Sequence, residues 1–359
     1  MKKLSFPIVL LLLLSFSVSG QFLNIQSKTG TDKFLLPELD SITFNLNSPA
    51  IKYSLNIHTL NKIIQIKLSD IDSLTFSAAM VFRVNTKSGP VQFPAVEIDS
   101  ITFSSYSIPN RSDDALSGSE FMHTIQNMSF TEREPLILNE FLNGNIPDFL
   151  RTMVSIRTQA SDSLGVQHDI VLEVMPDYLS IGKNNDFCRI PMGPQTAQNI
   201  ADHYGCILPT RKIVNLIYLS SSVRLEPITY APVGNNNELV TTFIRHNRDI
   251  EAKRLQMNKS LGNLIAGLKK DIVITNLLPS KPTRVAIYGW HKLDGSPIQS
   301  LYTGHVNYYV DYSHGVRLVN SVMWIDGKET TIQKILADKV LYKLLSDESG
   351  IITQPAYKY

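Results

Sequence analysis

Residues 288 to 317 gather most of the side chains with which this chain could do chemistry: Tyr288, Trp290, His291, Asp294, Gln299, His305, Asp311, Ser313, His314 and Arg317. Histidines among aspartates serve acid–base catalysis, because an imidazole titrates near neutral pH and a carboxylate can fix its tautomer. His314 is the expected base, Asp311 or Asp294 its orienting group, and Ser313 or Cys206 the nucleophile. His291, Asp311 and His314 form the expected catalytic set. Trp290, Gln299, Arg317, Lys270 and His246 are the expected substrate contacts. The same residue types suit zinc, held by His291, Asp311 and His314 with His305 as the alternative ligand. No HExxH and no cysteine pair accompanies them. On an unbroken strand His305 and Asp311 would stand about 20 Å apart, too far to share an ion.

Other motifs fail on context. Cys206 follows a helix C-terminus, where the helix dipole does little to lower a thiol pKa. Ser180-Ile181-Gly182-Lys183 reads S-x-x-K but sits in an expected strand without its companion motifs. G-x-S-x-G, G-x-G-x-x-G and G-x-x-x-x-G-K are all absent, which argues against a serine-hydrolase elbow and against nucleotide chemistry. His246 falls in the apolar stripe of a helix, where a satisfied half-buried histidine is the ordinary reading. Lys270 at a strand end could meet a substrate carboxylate or lie in solvent.

The elements that position these groups follow from periodicity. A strand is expected over His168 to Ile181. A helix opens at Gly193-Pro194 and closes at Gly205, a second runs from Thr210 to Ser220, and a third spans Glu238 to Gln256. Strands follow at 271–275, 284–290, around 298–302, 305–312 and 316–324, with a hairpin turn at Asp294-Gly295-Ser296-Pro297, and a helix from Thr331 to Leu345 ends the pattern. Helices first and antiparallel-looking strands later give an α+β domain with a mainly antiparallel sheet, preceded by small β repeats.

Those repeats are Leu39-Asp40-Ser41-Ile42-Thr43-Phe44, Ile71-Asp72-Ser73-Leu74-Thr75-Phe76 and Ile98-Asp99-Ser100-Ile101-Thr102-Phe103. Each is expected to be a tight turn at Asp-Ser leading into a closing strand. They resemble the "IDSITF" repeats near the N-termini of many exported Bacteroidota-type proteins, a resemblance that implies a spacer and no particular activity. Ahead of them, Lys2-Lys3, an apolar run from Phe6 to Phe16 and a small-residue end before Gln21 read as a cleavable export signal, too short to span a membrane. Gln21 rather than Cys leaves a lipid anchor no attachment point, so no stable membrane anchor is expected. The expected layout is residues 1–20 signal, 21–104 repeats, 105–118 linker and 119–359 main domain.

Of 359 residues 43% are hydrophobic and 18% charged, ordinary for globular proteins, and the net charge of +2 is spread too evenly for a nucleic-acid surface. Cys188 and Cys206 could pair in an oxidising compartment or stay reduced. Residues 145–348 are similar to an uncharacterised exported bacterial domain through Leu208-Pro209-Thr210, Lys269-Lys270-Asp271, Tyr288-Gly289-Trp290-His291, Asp311-Tyr312-Ser313-His314-Gly315 and Leu345-Ser346-Asp347-Glu348. That resemblance transfers no catalytic role. The expectation is an exported protein, periplasmic, cell-surface or secreted, that hydrolyses an extracellular or cell-wall polymer. The alternative is a non-catalytic surface or ligand-binding protein.

Overall fold

Ile170, Leu172 and Val174 alternate with less buried residues and form the spine of the larger of two compact units, residues 111–359; residues 1–110 make the other. The computed structural model describes residues 2–7, 15–19, 22–27, 30–35, 39–45, 54–59, 63–76, 81–104 and 106–358, with the first five segments described as backbone only. Part of the expected export signal, including residues 8–14 of its apolar run from Phe6 to Phe16 and its cleavage point, lies outside them. The boundary between the units falls within the stretch expected to be linker.

In the first unit all three repeats are strands, Leu39–Asn45, Ile71–Phe76 and Ile98–Ser104. The Asp-Ser step is not a turn. The pairing register skips the Asp in every copy, at Asp40, Asp72 and Asp99. A β-bulge therefore recurs at the same place, and in the second and third copies a short 3₁₀ turn, Leu68–Asp70 or Ala95–Glu97, precedes it. A hairpin of Val81–Thr86 and Gly89–Pro94 closes at Lys87-Ser88, as the turn residues imply.

The larger unit is α+β. Its first helices, α1 (Gly118–Ile125) and α2 (Phe130–Leu142), each begin with a capping box, Ser117 with Glu120 and Ser129 with Glu132. Strands β1 (Val154–Ser161) and β2 (Gln167–Val174) pair as an antiparallel hairpin, and a second hairpin joins β3 (Ser180–Lys183) to β4 (Asp186–Arg189). Helix α3 (Pro194–Tyr204) carries Pro at its first turn and ends at Gly205 in the left-handed conformation, φ 73°. Strand β5 (Cys206–Ile207) leads to α4 (Arg211–Ser220), capped by Thr210, and β6 (Val223–Arg224) precedes α5 (Val240–Gln256).

Strands β7 (Ile265–Ala266), β8 (Lys270–Ile272), β9 (Ile287–His291), β10 (Pro297–Tyr302) and β11 (His314–Gly315) follow. Four of them form a sheet in the order β10-β9-β8-β11, in which only the β8–β11 pair is parallel. Strands β12 (Val319–Asn320), β13 (Val322–Ile325) and β14 (Lys328–Thr331) return to the spine, giving the order β5-β12-β2-β13-β14 with β1 beside β2. The final helix, α6, is shorter than expected, Ile332–Ala337, with a 3₁₀ turn at Leu341–Leu344. Residues 305–312 do not form the expected strand. They turn, with an isolated β-bridge between Val306 and Arg284. Among the described residues no helix is long and apolar enough to cross a membrane.

Candidate functional site

Strand β8 is the hub of the site. Lys270 is paired with Gly289 of β9 on one side and with His314 of β11 on the other. Side chains alternate across a sheet, so Lys269 and Asp271 go to one face and Lys270 to the opposite one.

On the Lys270 face, Lys270 Nζ lies 3.6 Å from Asp311 Oδ2 and 5.3 Å from the centre of the Trp290 ring. Asp311 Oδ1 accepts the backbone N–H of Ser313 at 2.7 Å and also the Ser313 hydroxyl, while Tyr309 Oη approaches Oδ2 at 3.5 Å. Burial opposes the charge on Asp311, yet His314, Lys270 and the Ser313 hydrogen bonds outweigh it and hold its pKa down at about 2. His314 Nε2 stands 3.9 Å from the same carboxylate, but the ring is fully buried, which lowers its pKa to about 4 and leaves it neutral at pH 7. His305 stacks on Tyr309 at 4.3 Å and reaches within 6.4 Å of His314, ring centre to ring centre. The separation of about 20 Å expected between His305 and Asp311 on an extended strand does not arise, because the chain turns between them.

The opposite face is an internal charge network. Lys269, 2% exposed, donates from Nζ to the Tyr312 carbonyl at 2.6 Å and sits 3.4 Å from His246 Nδ1. His246 Nε2 meets the Ile228 carbonyl at 3.2 Å, which assigns the proton to Nε2 and makes Nδ1 the acceptor for Lys269. Burial lowers Lys269 to a pKa of about 7 and His246 to about 2. Asp271, raised by burial to about 7, accepts the Tyr178 hydroxyl at 3.0 Å. Arg317 lies over the Tyr178 ring and donates to the Met175 and Ile265 carbonyls at 2.8 and 2.6 Å. His246 and Arg317, expected as substrate contacts, are interior residues that hold this network together.

His291 contacts Asn215, Tyr218 and Tyr288 and does not join Asp311 and His314. The backbone of β9 is left-handed at Gly289 (φ 106°) and Trp290 (φ 57°), just past the point where β10 gains a residue in the pairing: Trp290 meets Lys270, while His291 lies among other partners. His291 Nε2 and the Tyr288 hydroxyl share Asn215 Oδ1, at 3.0 and 2.9 Å, and the imidazole stacks on Tyr218 at 4.7 Å. Burial lowers its pKa to about 4. Gln299 donates to the Ser300 carbonyl, and Asp294 accepts from Ser296 as a turn former instead of orienting a histidine. Among the described residues no three His, Cys, Asp or Glu side chains are placed to hold a metal ion, so no step through zinc follows from this geometry. Cys188 and Cys206 are both free and buried, and burial pushes both thiols up, Cys188 to about 12.

The residues that periodicity alone did not single out are Lys269, Asp271, Tyr178, Tyr309 and Tyr312. Their signal was available: three charged residues in a row, Lys269-Lys270-Asp271, lead into the apolar run Ile272-Val273-Ile274. Alternation must send at least one of them inward. Several buried polar atoms around this strand lack any partner: both ring nitrogens of His314, Trp290 Nε1, Asp271 Oδ1 and Arg317 Nε. Comparison with family models, with curated proteins and with solved structures finds no match.

Proposed function

We propose that the larger unit is an exported binding module for an extracellular or cell-wall polymer, and that it grips a hydroxyl-rich, carbohydrate-like segment at Lys270, Asp311 and Trp290. The observation that carries this reading is the Lys270–Asp311 pair, with side chains 13% and 6% exposed, beside the Trp290 ring. A sugar hydroxyl needs a donor and an acceptor together, and an ammonium next to a carboxylate offers both. Exposed aromatic rings lie on the segment that leads to Asp311, with Tyr302 and Tyr308 44% and 62% exposed, above the buried rings of Trp290 and Tyr312. The negative face of such rings attracts the polarised C–H groups of a sugar.

Hydrolysis is the second reading. It is favoured by His314, a neutral imidazole with both nitrogens unpartnered beside an ionised carboxylate. Against a serine mechanism, the Ser313 hydroxyl donates to Asp311 and not to His314. The test is retention of the purified chain by isolated cell-wall sacculi and by a panel of insoluble polysaccharides, with reducing ends assayed in parallel. Retention without product, lost in Lys270→Ala, supports binding. Product release abolished in His314→Ala favours hydrolysis, and neither retention nor product removes both.

A further inference from the structure

Helix α1, the β3–β4 hairpin and helix α5 enclose a groove of about 340 Å³, away from Lys270 and Asp311. Small-molecule sites fall in the range of roughly 300–1,000 Å³. Met122, Phe187, Cys188 and Ile244 give it apolar walls, and Arg248 stands at its rim.

Its floor is built rigidly. Arg189 is fully buried behind it and bonds Asp177, Glu251 at 2.8 Å and Asn247 at 3.0 Å. Asn247 in turn donates to the Phe187 carbonyl at 2.9 Å. The end of the groove depends on glycine: a Cβ on Gly118 would lie 2.5 Å from Phe187 Cα, so no other residue lets α1 seat directly on the hairpin.

The rim is electrostatically one-sided. Asp186 is engaged by the N-terminal turn of α1, accepting Ser119 N at 2.8 Å and the Ser119 hydroxyl at 2.5 Å. Among the described residues Arg248, whose side chain is 75% exposed, pairs only with Asp249, at 3.6 Å, and Asp249 already accepts the Tyr230 hydroxyl at 2.7 Å and faces Arg245. Its cation is therefore available to a ligand at the mouth of an apolar cleft.

We propose that this groove binds a small aromatic anion, its ring against Met122, Phe187 and Ile244 and its carboxylate or sulfonate on Arg248. The test uses the full chain and the fluorescent probe 8-anilinonaphthalene-1-sulfonate, with its uncharged relative N-phenyl-1-naphthylamine beside it. The sulfonate is expected to bind saturably, one per chain, to raise the unfolding midpoint, and to bind about tenfold more tightly than the neutral relative, a difference of about 1.4 kcal/mol. Arg248→Glu should remove that preference, and Ile244→Arg, at a position 37% exposed and so tolerant of substitution, should abolish binding of both probes. Non-saturating fluorescence, equal affinity for the charged and neutral probes, or binding unchanged in both variants overturns the proposal. The two probes are compared on the unaltered chain, so a misfolded variant cannot hide a failure.

Discussion

The rings of His305 and His314 lie 6.4 Å apart, with Tyr309 stacked on the first at 4.3 Å and edge-on to the second at 5.9 Å. Burial lowers the pKa of both histidines, so at neutral pH this aromatic stack is uncharged and lies beside the only close ion pair of the face, Lys270 with Asp311, among the described residues. The loop from Tyr302 to Tyr312 is thereby folded onto a single carboxylate.

Asp311 should matter to stability through its charge. Asp311→Asn keeps the shape and the acceptor for Ser313 N–H but leaves Lys270 without its counter-ion. A loss of about 2 kcal/mol is expected, from a charge-assisted interaction in a largely buried setting. Because its folded pKa is depressed to about 2, the contribution is present above the unfolded value near 4 and fades as pH falls through about 2. Urea unfolding of parent and variant should differ at neutral pH and converge in strong acid. An equal difference at both would refute the electrostatic account.

Lys269 carries a different pH signature. Burial lowers its folded pKa from 10.5 to about 7, so the folded state is penalised while this lysine is protonated. The unfolded chain then binds more protons between those values, and stability attributable to Lys269 rises with pH from about 7 to about 10. Lys269→Met removes the penalty along with the bond to the Tyr312 carbonyl. The variant should gain most relative to the parent near pH 6 and lose that advantage near pH 9, read from paired denaturation curves. A pH-independent difference would show that Lys269 is not titrating in the folded protein.

His168 runs the opposite way. It lies between Asp326 at 2.7 Å and Asp162 at 3.5 Å, and the Asp326 hydrogen bond, opposed by desolvation and helped by Asp162, raises its pKa. Its stabilisation is complete below the unfolded pKa of about 6.5 and is lost as pH rises through the higher folded value. His168→Gln should lower the melting midpoint in mildly acidic buffer and have little effect in alkaline buffer. The reverse order would mean that the pair of aspartates does not hold a charged imidazole.

The capping boxes offer a test without titration. Ser129→Ala removes the hydroxyl that starts α2, whose companion Glu132 accepts Ser129 N at 2.8 Å. A loss of about 1 kcal/mol is expected, as for other cap deletions. An unchanged unfolding free energy would mean that α2 is fixed by tertiary packing alone.

Much of this architecture is legible in the residues. Gly193-Pro194 and Gly205 bound α3, Thr210 starts α4, and the apolar stripe of α5 lies where its spacing puts it. Helices α1 and α2 are announced by Ser117-x-x-Glu120 and Ser129-x-x-Glu132 ahead of short apolar spacings, Phe121 with Ile125 and Ile137 with Phe141. The repeat Asp-Ser step reads as a turn because both residues favour turns, whereas pairing with neighbouring strands makes it a bulge. Residues 305–312 alternate like a strand, yet the chain turns there and Tyr309 packs against His305 and His314. The candidate site was half visible: Lys270, Asp311, His314 and Trp290 come together, whereas His291 is withdrawn to Asn215 and Tyr218 of helix α4, which no spacing rule could have revealed.

The most direct measurement is calorimetric titration of the full chain with a soluble oligosaccharide from whichever polymer retains it, compared with Lys270→Ala. Lys270→Ala also removes the counter-ion of Asp311, so both chains are compared at a temperature at which melting curves show each of them folded. Saturable binding by the parent and a loss of at least about tenfold in the folded variant is the predicted result. Equal affinity in both chains would contradict a polymer-binding site built on Lys270 and Asp311.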